Sequence, residues 1–462
     1  MEMVDRIVLK NSRTINNNGV KCKITLLIVF CIAIFAMVFL RDIVSLSINK
    51  YLIFIVATIG MFFFDKSHLI AFLGFIFSLT YGLPGTYIYA AAAIILIIKD
   101  HGRVKKSLIL WLVFSFLEII LSVSFSSEFS ITFYVSFVSR LFLLLYFLSE
   151  ESRNKTIDYS LPVKLYIFGT IAFLIISILL FLKDGSFDMI LSGKMRLGDA
   201  RYYYWVTNDV EGLLASTNSN NIAFQSCAAL ACCILMFFKK KKIFWIILYG
   251  IIWVGTLLTT SQTFLIVSLL QILLWVILLI ARREKTHYVF LFVLIAAVGL
   301  VVIVSTGIFT MLSNRLKSGM FQNDSGRLSL FVEYFNKLSS RPFNFLFGTG
   351  ALYYKSVLQL EQSCHNGLQQ IFISYGFFGF ILFITSFVYF IYGICIKIER
   401  SKSATLISFL PLISAVLFTQ TIQFFNPVEL LLPFVISLFA LRVVVDGNKD
   451  SLSNDNKQYL NY

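Results

Sequence analysis

Long apolar runs alternate with short polar segments from Ile24 to Val445. Each run is close to the ~20 residues that a helix needs to cross a ~30 Å hydrocarbon core. The pattern predicts helices near Ile24–Leu40, Ile48–Phe64, Leu69–Gly82, Thr86–Ile98, Leu108–Ser124, Ile131–Leu148 and Val163–Leu182. It continues with Asn221–Phe238, Ile243–Leu258, Thr263–Ile280, Tyr288–Phe309, Leu368–Ile394, Ala404–Gln420 and Pro427–Val445. The expected fold class is all-α: an integral membrane protein of about fourteen transmembrane helices, forming a single polytopic domain over residues 1–462.

Composition agrees. The 462-residue chain is 58% hydrophobic and 14% charged, whereas a soluble domain carries roughly a quarter charged residues. A net charge of +15 would suit nucleic acid, but its placement argues against that partner. The lysines and arginines sit in short clusters between apolar runs, which is how membrane topology is written. Counted from an inner start, alternate connections hold Lys66, then Lys99, Arg103, Lys105 and Lys106, then Arg153 and Lys155. Lys239–Lys242, then Arg282, Arg283 and Lys285, then Lys397, Arg400 and Lys402 complete the series. The short connections between them hold almost none, so both termini, including the tail 446–462, are expected in the cytoplasm. The polar start Met1–Lys23 is too long for an ordinary cleavable signal peptide and leads into a full-length span. Seven cysteines without a CxxC or paired spacing predict neither a disulfide framework nor a zinc site.

Two outer segments are long, 183–220 and 310–367. Loops of that length are usually functional. The second is also basic, with Arg315, Lys317, Arg327, Lys337, Arg341 and Lys355 against Asp324, Glu333 and Glu361. Positive charge on the outer face opposes the insertion bias, and an anionic ligand is the simplest purpose for it. Within this segment Ser325 is placed to N-cap a helix that ends near Pro342. Leu328, Phe331, Phe335 and Leu338 then share one face, with Arg327, Asn336, Lys337 and Arg341 toward polar surroundings. That is the pattern of a helix lying on a membrane interface.

Candidate chemistry gathers in the same loop. Among four histidines, His365 is the one expected at an outer surface beside basic residues. Imidazole titrates near neutral pH and can take a proton from an attacking hydroxyl; a helix-capping role fits its position equally well. Arg327 and Arg341 offer guanidinium forks for phosphate oxygens, or for anionic head groups without chemistry. In the first long segment Lys194, Arg196 and Arg201 precede Tyr202-Tyr203-Tyr204-Trp205. Rings beside cations suit sugar stacking, and they also suit the aromatic belt of any bilayer surface. Glu118 and Arg140 fall inside expected spans, where each costs at least ~2.5–3.5 kcal/mol unless paired, so a mutual ion pair is the default expectation.

The stretches SGRLSLFVEYFNKLSSRPFNFLFGTG (325–350) and CHNGLQQIFISYGFFGF (364–380) resemble the O-antigen polymerase and O-antigen ligase superfamily of bacterial membrane glycosyltransferases. TNSNNIAF (217–224) is a weaker match. Phe331 stands where the family often has tryptophan. Gln262, in TTSQTFL, stands where many relatives carry arginine, a phosphate contact that Arg196 or Arg201 could supply.

The resemblance implies a helical fold for lipid-linked glycosyl transfer, in the bacterial inner membrane, with the active site facing the periplasm. The donor would be an oligosaccharide on undecaprenyl pyrophosphate. By that analogy His365 is the base or the group that positions the acceptor. Arg327, with help from Arg341, Arg196 and Arg201, would bind pyrophosphate, and Asn366, Tyr204, Trp205 and Phe331 would meet sugar. No cofactor and no metal are expected, because neither loop clusters histidine and aspartate. Membrane lipids, a chain-length regulator and a flippase of the same pathway are the implied partners. A polymerase fits the layout best. The alternatives are a ligase moving glycan onto lipid A core, or a lipid-linked oligosaccharide flippase, which should show more charge inside its spans.

Overall fold

A computed structural model describes residues 23–76, 78–79, 83–100, 105–125, 130–149, 158–184, 187–191, 196–198, 219–282, 327–360, 362, 364–398, 401–420 and 431–445, with single positions between 288 and 313. Every regular element among them is a helix. They are α1 (Lys23–Asp42), α2 (Lys50–Phe63), α3 (Lys66–Ile76), α4 (Leu83–Asp100), α5 (Lys105–Phe125) and α6 (Ile131–Ser149). Next come α7 (Ser160–Asp184), the short α8 (Phe187–Leu191), α9 (Ser219–Lys240), α10 (Phe244–Leu257) and α11 (Gln262–Ala281). α12 (Arg327–Ser339), α13 (Pro342–Phe347) and α14 (Tyr354–Leu358) lead to α15 (Gly367–Lys397), α16 (Lys402–Thr419) and α17 (Leu431–Arg442). Among the described residues six helices, α1, α7, α9, α11, α15 and α16, are long and apolar enough to cross a membrane, and shorter apolar helices accompany them. The segments expected from the sequence fall on these helices, except Tyr288–Phe309, which lies almost wholly outside the described residues.

The bundle is built around α9, whose apolar window is 100% buried. It packs against α7, α10, α11, α16 and α17. Its small residues, among them Ala223, Cys227, Ala228 and Ala231, let these neighbours approach closely. Water is absent from such an interior, so polar groups pair between helices. Tyr166 Oη donates to the Gln225 carbonyl at 2.8 Å, and Gln271 Nε2 donates to the Cys227 carbonyl at 2.9 Å and to Ser414 Oγ at 2.8 Å. Such bonds contribute about 0.6–2 kcal/mol each.

The two ends of the bundle differ. One end carries described members of the basic clusters: Lys239 lies 3.6 Å from Asp158, Arg282 Nη1 reaches Ser403 Oγ at 3.1 Å, and Tyr288 Oη reaches the Lys241 carbonyl at 3.2 Å. Here Lys99 Nζ covers the open carbonyls at the end of α2 (Met61, Phe62, Phe64). Asp65 caps α3 through the His68 N–H and also meets His68 Nδ1 and Lys23 Nζ. Burial alone would raise the Asp65 carboxyl, but the bonds from His68 and Lys23 outweigh it and hold it down at about 2. This tie is therefore complete above the ordinary carboxylate range and is lost only as pH falls through about 2. At the opposite end Phe418 of α16 stacks on Phe224 of α9, with ring centroids 5.1 Å apart.

α15 is broken. Gly376 has φ 63 and ψ −170 inside it, a conformation essentially confined to glycine. Beside the break, the carbonyls of Ile373 and Ser374 accept from the N–H groups of Thr349 (3.0 Å) and Gly350 (2.9 Å) in the turn after α13. Gly348 in that turn has φ 90 and packs so tightly that an added Cβ would lie 2.2 Å from the Ser374 oxygen. At Gly376 a Cβ would lie 2.4 Å from the Leu346 carbonyl carbon. Gly376→Ala is expected to cost about 1–3 kcal/mol from backbone strain, with the collision adding to it, lowering the melting temperature of the detergent-solubilised protein. Gly393→Ala, with nothing within 4 Å of the new Cβ, should not lower it. Equal melting of the two variants would contradict this account of the break.

Candidate functional site

The candidate site is assembled where α15 begins. Asn366 is the N-cap: its side chain accepts from the Gln369 N–H at 3.0 Å, and Nδ2 lies 3.3 Å from Gln420 Oε1 just past α16. Asn366 and Gln369 form the N-cap and N3 spacing of a capping box. Here, however, Gln369 turns sideways: Nε2 donates to the Phe331 carbonyl at 2.8 Å, and Oε1 accepts from Cys364 Sγ at 3.1 Å. The first turn of α15 is thereby stitched to α12 and to the loop before it. His365 lies between Cys364 and the cap residue and is exposed.

A small second core supports this rim. Leu330, Tyr334 and Leu338 of α12 pack with Tyr354, Leu358, Leu360, Cys364 and Ile373. Tyr334 Oη donates to the Gln362 carbonyl at 2.5 Å, Lys337 Nζ to the Gln359 carbonyl at 2.7 Å, and the Cys364 N–H to Tyr354 Oη at 3.1 Å. The helix expected here therefore exists, and the residues expected on one apolar face of it divide between exposure and burial. Leu338 is buried, whereas Phe331 (41%) and Phe335 (46%) are exposed, beside Val332 (47%). Leu330 and Tyr334 take the inner positions, and the phenylalanines face outward, as they would toward lipid. Burial pushes the Cys364 thiol up to about 12, against an opposing bond with Asn366.

The predicted arginines stand on separate elements where they are described. Arg327 is the first residue of α12; its side chain, with Ser325, Arg201, Tyr204 and Trp205, lies outside the described residues. Arg341 stands between α12 and α13, half-buried, and its Nη1 donates to the Val357 carbonyl at 2.5 Å. The 13 residues of α12 span about 20 Å and set the backbone of Arg327 about that far from the end of the helix that precedes Arg341. Arg196 is half-buried, and the N–H of its neighbour Leu197 donates to the Leu258 carbonyl at 3.0 Å. That bond seats Arg196 against the turn that leads to Gln262, the N1 residue of α11.

The expected Glu118–Arg140 ion pair does not form. Glu118 is fully buried in α5 and accepts from the N–H groups of Ala351 (2.7 Å) and Leu352 (3.0 Å) and from Ser122 Oγ (2.9 Å). Arg140 instead donates to Ser136 Oγ in its own helix. Backbone amides leave no trace in a sequence pattern, so the partner of Glu118 could not be read there. Gln369, by contrast, carried a visible signal in its capping spacing after Asn366.

The architecture is thus a helical bundle of the membrane-spanning kind, with a folded cap seated on a broken helix at one end. Residues 247–384 match the O-antigen ligase family. The match bears out the resemblance to the O-antigen ligase and polymerase superfamily, and with it a glycosyltransferase-type enzyme of surface-polysaccharide synthesis. It speaks for the superfamily as a whole rather than for one branch. Among curated proteins and among solved structures, nothing matches this chain. The matched segment takes in Arg327, Phe331, Arg341, His365 and Asn366, while Glu118 and Arg196 lie outside it.

The buried Cys364 thiol is expected to resist N-ethylmaleimide at pH 7 in the folded protein and to react after denaturation, read by mass spectrometry of its peptide. Rapid labelling of the native protein would show that the cap does not close over it.

Proposed function

We propose that this chain is an O-antigen polymerase. It transfers a growing glycan from undecaprenyl pyrophosphate to a new lipid-linked repeat unit at the periplasmic face of the inner membrane. The observation that carries this reading is His365, exposed at the start of α15, within the family-matched segment and at the end of α16 away from the basic clusters. The expected layout, about fourteen spans with two long outer segments, favours the polymerase branch.

In this reading an acceptor hydroxyl attacks the anomeric carbon of the donor glycan as the bond to the pyrophosphate oxygen breaks. Undecaprenyl pyrophosphate leaves with the bonding electrons, and the hydroxyl proton passes to His365. The configuration inverts, and no metal takes part. Arg327 lies one helical turn before Phe331, whose carbonyl is tied to Gln369; it is the arginine nearest the His365 rim along α12 and is assigned to the pyrophosphate. Arg196, seated by the Leu197–Leu258 bond, is assigned the contact that relatives make with arginine at the place of Gln262, with Arg201 beside it. Asn366, Phe331, Tyr204 and Trp205 are assigned to sugar. Arg341, whose Nη1 is held by the Val357 carbonyl, is assigned to help Arg327 with its remaining donors.

The ligase is the second reading, because the matched family is described by that activity. His365→Ala is expected to reduce transfer by at least about a hundredfold at normal protein abundance. In a polymerase, the variant leaves cores bearing one repeat unit. In a ligase, it leaves bare cores and accumulates lipid-linked polymer. Undiminished polymer on full-length cores would remove the catalytic role of His365.

A further inference from the structure

Glu118 has no part in the reaction as written, yet it is fully buried in α5. A carboxyl group at that depth is costly unless it is paired. Its partners explain its presence. Successive amides of the turn after α13 are satisfied one by one: Gly348 N–H by the Asn344 carbonyl, Thr349 and Gly350 by the carbonyls beside the α15 break, and Ala351 and Leu352 by the two Glu118 oxygens. The last two amides find their acceptor in a side chain from α5. Ser122 Oγ, one turn along, donates to Glu118 Oε1 and fixes its rotamer. One residue further, Tyr353 Oη accepts from the Ser130 N–H at 2.7 Å. The chain then enters α14, whose Tyr354 holds Cys364, the residue before His365.

From this connection we propose that Glu118 is a positioning residue for glycosyl transfer: it clamps the 348–352 turn to α5 and through Tyr354 and Cys364 sets where His365 stands. The proposal rests on His365 being the transfer site, and it extends the functional machinery beyond the family-matched segment to a helix in the first third of the chain. A misplacement of about 1 Å at a reacting group costs about a hundredfold in rate, so loosening this clamp acts on turnover without removing any group that meets substrate.

Glu118→Gln is the informative change. Glutamine keeps the shape but has one acceptor oxygen, and its NH2 group would face an amide N–H. Two signals are read on the full-length protein: polymer formed per unit of protein, and labelling of the Cys364 peptide by N-ethylmaleimide under native conditions. The expected result is a loss of turnover of about a hundredfold together with exposure of Cys364, at unchanged abundance. Lost turnover with Cys364 still protected would mean that Glu118 acts by another route, and would overturn the proposal. Exposed Cys364 with full turnover would overturn it equally, as would no change in either signal. If the variant fails to accumulate, Glu118→Asp keeps both oxygens but is one methylene short, and the same two signals decide. The labelling arm involves no transfer assay, so it stands or falls separately from the role given to His365.

Discussion

An apolar interior cannot hydrate backbone groups, and this constraint governs the part of the molecule that matters most. Irregular chain at membrane depth is tolerated only where protein supplies every missing hydrogen bond. The break at Gly376 and the turn at 348–352 are two such irregular pieces, and each completes the other. Carbonyls beside the break accept from Thr349 and Gly350, and Glu118 accepts from the two amides that follow. Neither piece would be stable alone. Their union fixes α13, α14 and the first half of α15 as one body.

On that body rests the cap with its own small core. The core is held by Tyr334, Leu338, Leu358 and Cys364, while the outer faces of α12 and α13 carry exposed Phe331, Phe335, Phe343 and Phe347. A cap with its own apolar core and an apolar outer face suits contact with lipid. Family resemblance and geometry thus meet at the same rim.

Much of this was legible in the sequence, for identifiable reasons. Apolar runs report membrane helices because length and hydrophobicity are what spanning first requires, and described members of the basic clusters, Lys239 and Arg282, lie by Asp158 and Ser403. The helix after Ser325 was visible too. Its buried face was not: an interfacial helix presents apolar residues both to lipid and to core, so periodicity picked out Phe331 and Phe335, which stand exposed, and passed over Leu330 and Tyr334, which are buried. Gly376 gave no signal, because a glycine within FISYGFFGF leaves the hydrophobic run unbroken. Glu118 was noticed as an anomaly and matched to the wrong partner, since acceptors for backbone amides have no spacing rule.

The complete enclosure of α9 has a consequence for biogenesis. The helix carries Ser226, Gln225 and three cysteines, polar and polarisable groups that are easily borne because they meet protein rather than lipid. Two of the helices that enclose it, α16 and α17, are the last of the described helices in the chain. During synthesis the serine- and cysteine-bearing flanks of α9 therefore lack two of their covers until α16 and α17 have been made. A ribosome that stalls before α16 emerges leaves this hub open on two sides, a ready mark by which membrane proteases could recognise a stalled copy.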